Sequence, residues 1–323
     1  MGAHPAPKPM QHRTLGRTGL SVSAIGFGAA PLGNEFGDMD ESEGARAVQT
    51  AIDRGVNFFD TAPYYGRTLS EERLGRALEG RRHEVVLATK CCRYDQRGFD
   101  FSAERVRADI DAGLQRLRTD HVDLFQVHDV EFGQASQILQ ETLPAMREVQ
   151  AAGKARFIGI TGLPVEMLRS LAEEFAVDTV LSYCHYNLLD QELERVLGPL
   201  VDDQGLGLIN ASPLSMGLLT ESEPQPWHPA PQPLKDVCPQ VAALCREHGR
   251  SVMEVALRYA IDNEHVATTL SGIGSVEQLE QNLTVLDKPN DPELLARIDA
   301  LIDPVRNLTW HEGLAENAPS GGA

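Results

Sequence analysis

Four residues in the first half of the chain could exchange a proton with an oxygen bound to carbon: Asp60, Tyr65, Lys90 and His128. Asp60, Lys90 and His128 each stand at the end of a short apolar run, in residues 57–60, 85–90 and 122–128. Core packing alone does not call for them, because an unpaired charge is costly to bury. Tyr65 follows Asp60 in the loop Thr61-Ala62-Pro63-Tyr64-Tyr65-Gly66. A free phenol has a pKa of about 10, and a nearby ammonium lowers it. Lys90, held by Asp60, is therefore expected to bring Tyr65 toward neutrality as a general acid or base. His128 can hydrogen-bond the oxygen of a carbonyl or alcohol and orient it. No nucleophile–base pair or metal cluster accompanies these residues, so hydrolysis is the less natural chemistry. Proton exchange of this kind pairs with hydride transfer by a nicotinamide.

Such a site needs elements that bring several chain segments to one place. Residues 12–28 read as strand, turn at Arg17-Thr18-Gly19, and strand. After that, helical and extended patterns alternate. Helices are expected over 41–54, 70–78, 102–117, 138–152, 164–175 and 191–203, the third capped by Ser102. Two more follow over 234–248 and 251–263, then 275–286 and 292–302. The intervening strands fall at 57–60, 85–90, 122–128, 155–162, 179–184, 207–213 and 266–272. Residues 214–233 form a Pro-rich irregular loop. Strict alternation implies parallel pairing with right-handed crossovers. Eight such units close into an α/β (β/α)8 TIM barrel with an N-terminal β-hairpin, and the active site of such a barrel lies at the C-terminal strand ends. An open doubly wound sheet would want a Gly-rich fingerprint after its first strand. Gly26-Phe27-Gly28-Ala29-Ala30-Pro31 lacks the third small residue in place and is not followed directly by a helix.

The 323 residues suit one such domain over 12–310, with loose tails at 1–11 and 311–323. A net charge of -18 argues against nucleic acid and anionic membranes as partners. No apolar run is long enough for a membrane span, and the start has no apolar core of a secretory signal. Cys91, Cys92, Cys184, Cys238 and Cys245 are odd in number and fit no zinc spacing. Reduced thiols in a cytoplasmic protein, monomeric or weakly dimeric, are expected.

Asp60, Tyr65, Lys90 and His128 resemble the catalytic tetrad of the aldo-keto reductase family. The stretch Asp60-Thr61-Ala62-Pro63-Tyr64-Tyr65-Gly66, with Glu72, Leu74 and Gly75, is similar to the family's first signature. Residues 210–220 and 270–282 resemble its two later cofactor segments. The stretches 99–107, 160–164, 181–187 and 304–310 are closest to members that oxidise free aldoses. The resemblance implies oxidation of the anomeric C1 hydroxyl of an L-galactose or L-fucose type sugar to the lactone, with Tyr65 as base. A broader aldehyde or ketone reductase, a pyridoxal-type dehydrogenase, and a non-catalytic nucleotide sensor stay open as alternatives.

The same resemblance places the cofactor against Thr161, Gly162, Tyr183, Ser212, Pro213, Leu214, Gly217, Gly272, Gly274, Ser275, Gln278 and Asn282. Relatives that prefer NADP carry Lys or Arg where Gly272, Gly274 and Gln278 stand here. Without positive charge a 2′-phosphate is poorly compensated, so NAD is the expected cofactor. Two positions depart from the family. A tyrosine before Ser212-Pro213-Leu214 is Ala211, and a Ser-Asn pair is Thr161-Gly162. Tyr183 is either a stacking face for nicotinamide or a packed core tyrosine. Tyr64, His185 and Trp310, with His128, are the candidates for the sugar side.

Overall fold

The computed structural model describes residues 10–318. Strands β1 (His12–Thr14) and β2 (Ser21–Ser23) pair antiparallel, His12 opposite Ser23. Leu15, Leu20 and Val22 from this hairpin pack into the same cluster as Phe58, Val86 and Leu124 of the barrel interior. The second arm is not one continuous strand. At Ala24, whose N–H donates to Gln11 at 2.8 Å, the chain leaves the hairpin. It re-emerges as β3 (Ile25–Gly28), the first barrel strand. The Ser23 N–H donates to Asn57 Oδ1 at 2.7 Å, so the backbone changes partner between the two sheets.

The remaining strands are β4 (Phe58–Asp60), β5 (Val86–Cys91), β6 (Val122–Val127), β7 (Ala155–Gly162), β8 (Thr179–Tyr183), β9 (Gly207–Ala211) and β10 (Val266–Gly272). All eight pair in parallel in chain order, and β10 closes on β3. Around them lie α1 (Glu41–Asp53), α2 (Leu69–Ala77), α3 (Ala103–Leu117), α4 (Ala135–Gln137), α5 (Leu143–Ala151), α6 (Val165–Phe175) and α7 (Glu192–Gln204). They are followed by α8 (Gln232–Glu247), α9 (Val252–Ile261), α10 (Val276–Thr284) and α11 (Pro292–Ile302). The Ser102 hydroxyl caps α3 by accepting from the Arg105 N–H at 3.2 Å. The helix expected over 138–152 is broken by a π turn, Ile138–Thr142, between α4 and α5. Pro144 near the start of α5 has no N–H to give to the preceding turn, and the wider turn absorbs the mismatch.

Side chains alternate along each strand. Phe58, Val86, Ala88 and Leu124 face the barrel interior, while Phe59, Leu87, Phe125 and Val127 face the helices. Continuing that period brings Asp60, Lys90, Gln126 and His128 inward at the C-terminal ends. The register sets Asp60 opposite Ala88 and Lys90 opposite Gln126, so these polar groups crown one mouth.

The C-terminal stretch differs from the loose tail expected over 311–323. As far as Ala318 it is fastened to the loop after β6. Leu314 N–H donates to Glu131 O at 2.9 Å, and Asn317 Nδ2 donates to Glu131 O at 2.8 Å and Gly133 O at 2.9 Å. These bonds involve main chain and an amide, so no apolar pattern advertised them. Residues 319–323 and 1–9 lie outside the described residues. Met10 packs against the core, and Gln11 is bonded to Ala24.

Candidate active site

The Lys90 ammonium is the hub. It donates to Asp60 Oδ1, to Thr61 O at 2.9 Å and to the Tyr65 hydroxyl at 3.4 Å. Its three protons are thereby used. Asp60 Oδ2 accepts from Gln126 Nε2 at 3.0 Å. Asp60 and Lys90 are each 2% exposed. The loop that carries Tyr65 is fixed by a close crossing with the loop after β3. A Cβ on Gly66, which has φ +63°, would stand 2.2 Å from Gly33 O, so only glycine fits. The His128 ring lies edge-on to Tyr65 and to Tyr64, each at 5.8 Å between centroids. The four residues expected to act together are thus gathered at the mouth.

Electrostatics modify the expected role of Tyr65. Burial pushes its phenol above the ordinary value, and the pull of Lys90 does not reverse this. The expectation that Lys90 alone brings the group toward neutrality is therefore not met. In the resting protein Tyr65 is a protonated donor. Burial lowers the Lys90 pKa, but Asp60 and Tyr65 outweigh it and hold the ammonium charged. Burial, reinforced by Lys90 and Arg93, drives His128 well below its usual range, so its imidazole is neutral at pH 7.

Sequence reading missed several groups around this centre. Gln126 was findable, because it shares the inward face of β6 with His128. Arg93 pairs with Asp129 and covers the Tyr64 ring at 4.0 Å. Asp129 has a left-handed backbone, φ +53°, unusual outside glycine. Its N–H donates to Thr161 Oγ1 at 3.1 Å. Glu131, in the turn Val130–Phe132, takes the Tyr183 hydroxyl at 3.2 Å. No spacing in the chain signals these contacts.

The residues expected to hold the cofactor occupy the ends of β7 to β10. Thr161, Gly162 and Tyr183 lie at the ends of β7 and β8. Ser212, Pro213, Leu214 and Gly217 form the exit of β9. There Ser212, Ser215 and Met216 all have positive φ, at +53°, +49° and +52°, a stored strain typical of functional loops. After β10, Gly274 N–H donates to Gln278 Oε1 at 2.8 Å and Gln278 N–H to Ser275 Oγ at 3.2 Å. Asn282 Nδ2 donates to Ser271 Oγ at 3.0 Å. Glu43 of α1 reaches over and accepts from Val276 N–H at 3.0 Å. Gly272 and Gly274 let the loop after β3 pack closely here, a Cβ on Gly272 standing 3.4 Å from Pro31 Cγ. A Cβ on Gly274 would be 3.1 Å from Pro31 Cβ. The start of α10 thus gathers amides, hydroxyls and one carboxylate, Glu43, and the stretch 272–278 carries no Lys or Arg.

Of the residues expected on the sugar side, Tyr64 stands beside His128. Trp310 lies edge-on to His228 at 5.4 Å and donates its Nε1–H to Glu312 at 3.2 Å. His185 is buried, with Nδ1 3.1 Å from Asp190 Oδ2. No contact joins it to Tyr65, Lys90 or His128 among the described residues. All five cysteines are free and buried, no His, Cys, Asp or Glu group among the described residues could hold a metal, and none of their helices is long and apolar enough to cross a membrane.

Comparison with known proteins agrees with this geometry. The chain is 46% identical to L-galactose dehydrogenase of Arabidopsis thaliana, over 94% of this chain and 98% of the relative. It is 32% identical to D-arabinose 1-dehydrogenase of Saccharomyces cerevisiae, over 93% and 94%. A holo-form aldo-keto reductase from Bacillus halodurans superposes with a TM-score of 0.75 at 27% identity, covering 94% of this chain and 98% of that one. The pattern described as the aldo/keto reductase family matches residues 24–303. With the barrel, the mouth and these relatives in agreement, the chain belongs to the aldo/keto reductase family.

Proposed function

We propose that the protein is an NAD-dependent dehydrogenase of free aldoses, of the L-galactose or L-fucose type, oxidising the C1 hydroxyl to the lactone. The observation that carries the chemistry is the Lys90 ammonium bonded at once to Asp60 and to the Tyr65 hydroxyl. The substrate class rests on the two sugar 1-dehydrogenases to which the chain is similar. NAD, when bound, supplies the acceptor for the hydride leaving C1. Tyr65 takes the proton of the C1 hydroxyl, and Lys90 stabilises the phenolate needed for that. Asp60 and Gln126 hold Lys90 in place. Neutral His128 hydrogen-bonds the C1 oxygen and orients it.

Two features favour NAD over NADP. The stretch from Gly272 to Gln278 carries no Lys or Arg. Glu43 already sets a carboxylate on the Val276 N–H, where a 2′-phosphate would meet like charge. The buried thiols and the lack of basic surplus suit a cytoplasmic protein acting on a small sugar without nucleic acid or membrane partners. The test is initial-rate formation of NADH, against NADPH, on L-galactose, L-fucose and D-arabinose. Silence across the panel with both cofactors overturns the reading.

A further inference from the structure

Beside the tetrad lies an ion pair to which the proton path assigns no task. Asp129 follows His128 just past the end of β6, and Arg93 stands two residues past the end of β5. The Arg93 Nη1–H donates to Asp129 Oδ2. That same oxygen is 3.8 Å from His128 Nε2. The Arg93 guanidinium lies 4.0 Å from the centroid of the Tyr64 ring, 5.3 Å from that of Phe99 and 5.6 Å from that of Phe132. Tyr64 in turn meets Tyr65 edge-on at 5.9 Å and His128 at 5.8 Å. Arg93, Tyr64, His128 and Tyr65 are therefore neighbours along one wall of the mouth. The Arg93 side chain keeps 16% of its surface exposed, so the pair is open to a ligand there.

Both members are fixed more firmly than a staple between loops requires. Asp129 holds φ +53° and gives its N–H to Thr161 Oγ1 at 3.1 Å, a backbone strain that fold alone rarely keeps. Aromatic rings around Arg93 set the plane of its guanidinium, and with it the directions of its N–H groups. Nη1 is committed to Asp129, while Nε has no partner among the described residues. A fixed carboxylate accepts and a fixed guanidinium donates. Side by side they match a group that does both, and a hydroxyl is the smallest such group.

Position selects which hydroxyl. On the proposed function, the C1 oxygen of the sugar bonds to His128 and Tyr65. In a gauche vicinal diol the two oxygens lie a hydrogen-bond length apart, so the C2 hydroxyl is the next donor along. Asp129 Oδ2, close to His128 Nε2, is one further hydrogen bond away. The other oxygen next to C1 is that of the ring. It carries no proton, and a carboxylate repels it.

We propose that Asp129 and Arg93 are the specificity-determining pair of this site, Asp129 accepting from the C2 hydroxyl and Arg93 donating to its oxygen. The inference rests on the reading that free aldoses are oxidised at C1, and adds which hydroxyl is read and which way round the ring must lie.

D-Arabinose, D-ribose and 2-deoxy-D-ribose test it, because they differ only at C2 and D-arabinose shares the C2 to C4 configuration of L-galactose and L-fucose. Wild-type kcat/KM for D-arabinose should exceed that for each of the others by about 10- to 100-fold, the worth of hydrogen bonds to charged groups. D-Ribose keeps a C2 oxygen, so its rejection separates recognition from the inductive effect of that oxygen on C1. Asp129→Gly, which suits the positive φ, should bring both ratios to within about threefold of one. Arg93→Met should lower them about fivefold, as should Asp129→Asn, which keeps the shape without the charge and serves if the glycine variant fails to fold. A merely structural pair would slow all three sugars together, so unchanged ratios in these variants overturn the assignment. A wild type that oxidises D-arabinose and 2-deoxy-D-ribose alike overturns it too, and leaves the proposed function standing. If L-galactose is oxidised and D-arabinose is not, L-galactose, 2-deoxy-L-galactose and L-talose form the same series. Silence on every aldose overturns both readings.

Discussion

Replacing Asp60 by Asn isolates the interaction on which the site depends. The substitution keeps shape and an amide oxygen that can still accept from Lys90, but it removes the only carboxylate among the described residues bonded to that ammonium, which is 2% exposed and otherwise bonded to Thr61 O at 2.9 Å and the Tyr65 hydroxyl at 3.4 Å. Removing one partner of a buried ion pair costs about 3–5 kcal/mol, because the other charge is stranded. Against a total stability of about 5–15 kcal/mol this is a large share. It corresponds to a fall in Tm of about 4–7 °C for a chain of this size. The penalty should also depend on pH with a definite sign. In the wild type Lys90 is held above its ordinary pKa, so its contribution is complete below about 10.4 and fades as pH rises through the folded value. In Asp60→Asn burial dominates and the folded pKa falls below the unfolded one. The unfolded state then binds more protons between the two values, and the variant gains stability as pH rises through that window. The gap between variant and wild type therefore narrows by up to about 1.4 kcal/mol per pH unit there. Urea unfolding at pH 7 and pH 9, with Asp60→Asn/Lys90→Met alongside, measures all of this. The double variant should recover most of the loss. An Asp60→Asn protein within about 1 kcal/mol of wild type at pH 7, or a double variant as unstable as the single one, would refute the stranded-charge argument.

Tyr65→Phe should cut kcat for sugar oxidation by about 10²–10⁴ while leaving the NAD affinity from equilibrium binding near wild type. Because burial holds the Tyr65 phenol protonated at rest, wild-type kcat/KM for oxidation should climb as pH rises through the alkaline range. A flat profile from pH 7 to 10 would count against Tyr65 as the base. Glu43→Gln should weaken the preference for NAD over NADP by about tenfold in direct binding, since the charge on the Val276 N–H is lost; an unchanged ratio removes Glu43 from the argument. His128 is held well below its usual pKa, so folding favours its neutral form. Its share of stability is present above the unfolded value of about 6.5 and is lost at up to about 1.4 kcal/mol per pH unit as pH falls from there toward the folded value. Urea midpoints of wild type and His128→Asn between pH 4 and pH 7 should converge on acidification.

The barrel was legible because its strands alternate with amphipathic helices, and because Gly and Pro punctuate them. The tetrad was legible because Asp60, Lys90 and His128 are charged or polar residues where apolar strands give out. What escaped has a common cause. Glu131 and Glu43 act through contacts between elements distant in the chain, Glu131 with Leu163 and Tyr183, Glu43 with Val276. No periodicity records such a meeting. The fastening of residues 314–317 to Glu131 and Gly133 was hidden for the same reason, since its bonds run to backbone carbonyls. The break at Ala24 was hidden too, because a strand that leaves one sheet for another keeps the same alternating pattern.

The charges at the mouth suggest why the chemistry waits for its reactants. At rest one ammonium, Lys90, is matched by one carboxylate, Asp60, while Tyr65 stays protonated and His128 neutral. A second pair, Arg93 and Asp129, covers Tyr64 without touching Tyr65. Balanced this way, the buried groups carry little net charge, which is what a low-dielectric mouth tolerates. Ionising Tyr65 would leave two anions beside one ammonium. Added positive charge is then required before the phenol yields its proton, and an oxidised nicotinamide is a cation. Burial holds the Tyr65 pKa above its ordinary value, and Lys90 opposes that shift without reversing it. On the proposed function, the mouth therefore keeps Tyr65 protonated until a cationic ring is bound beside it.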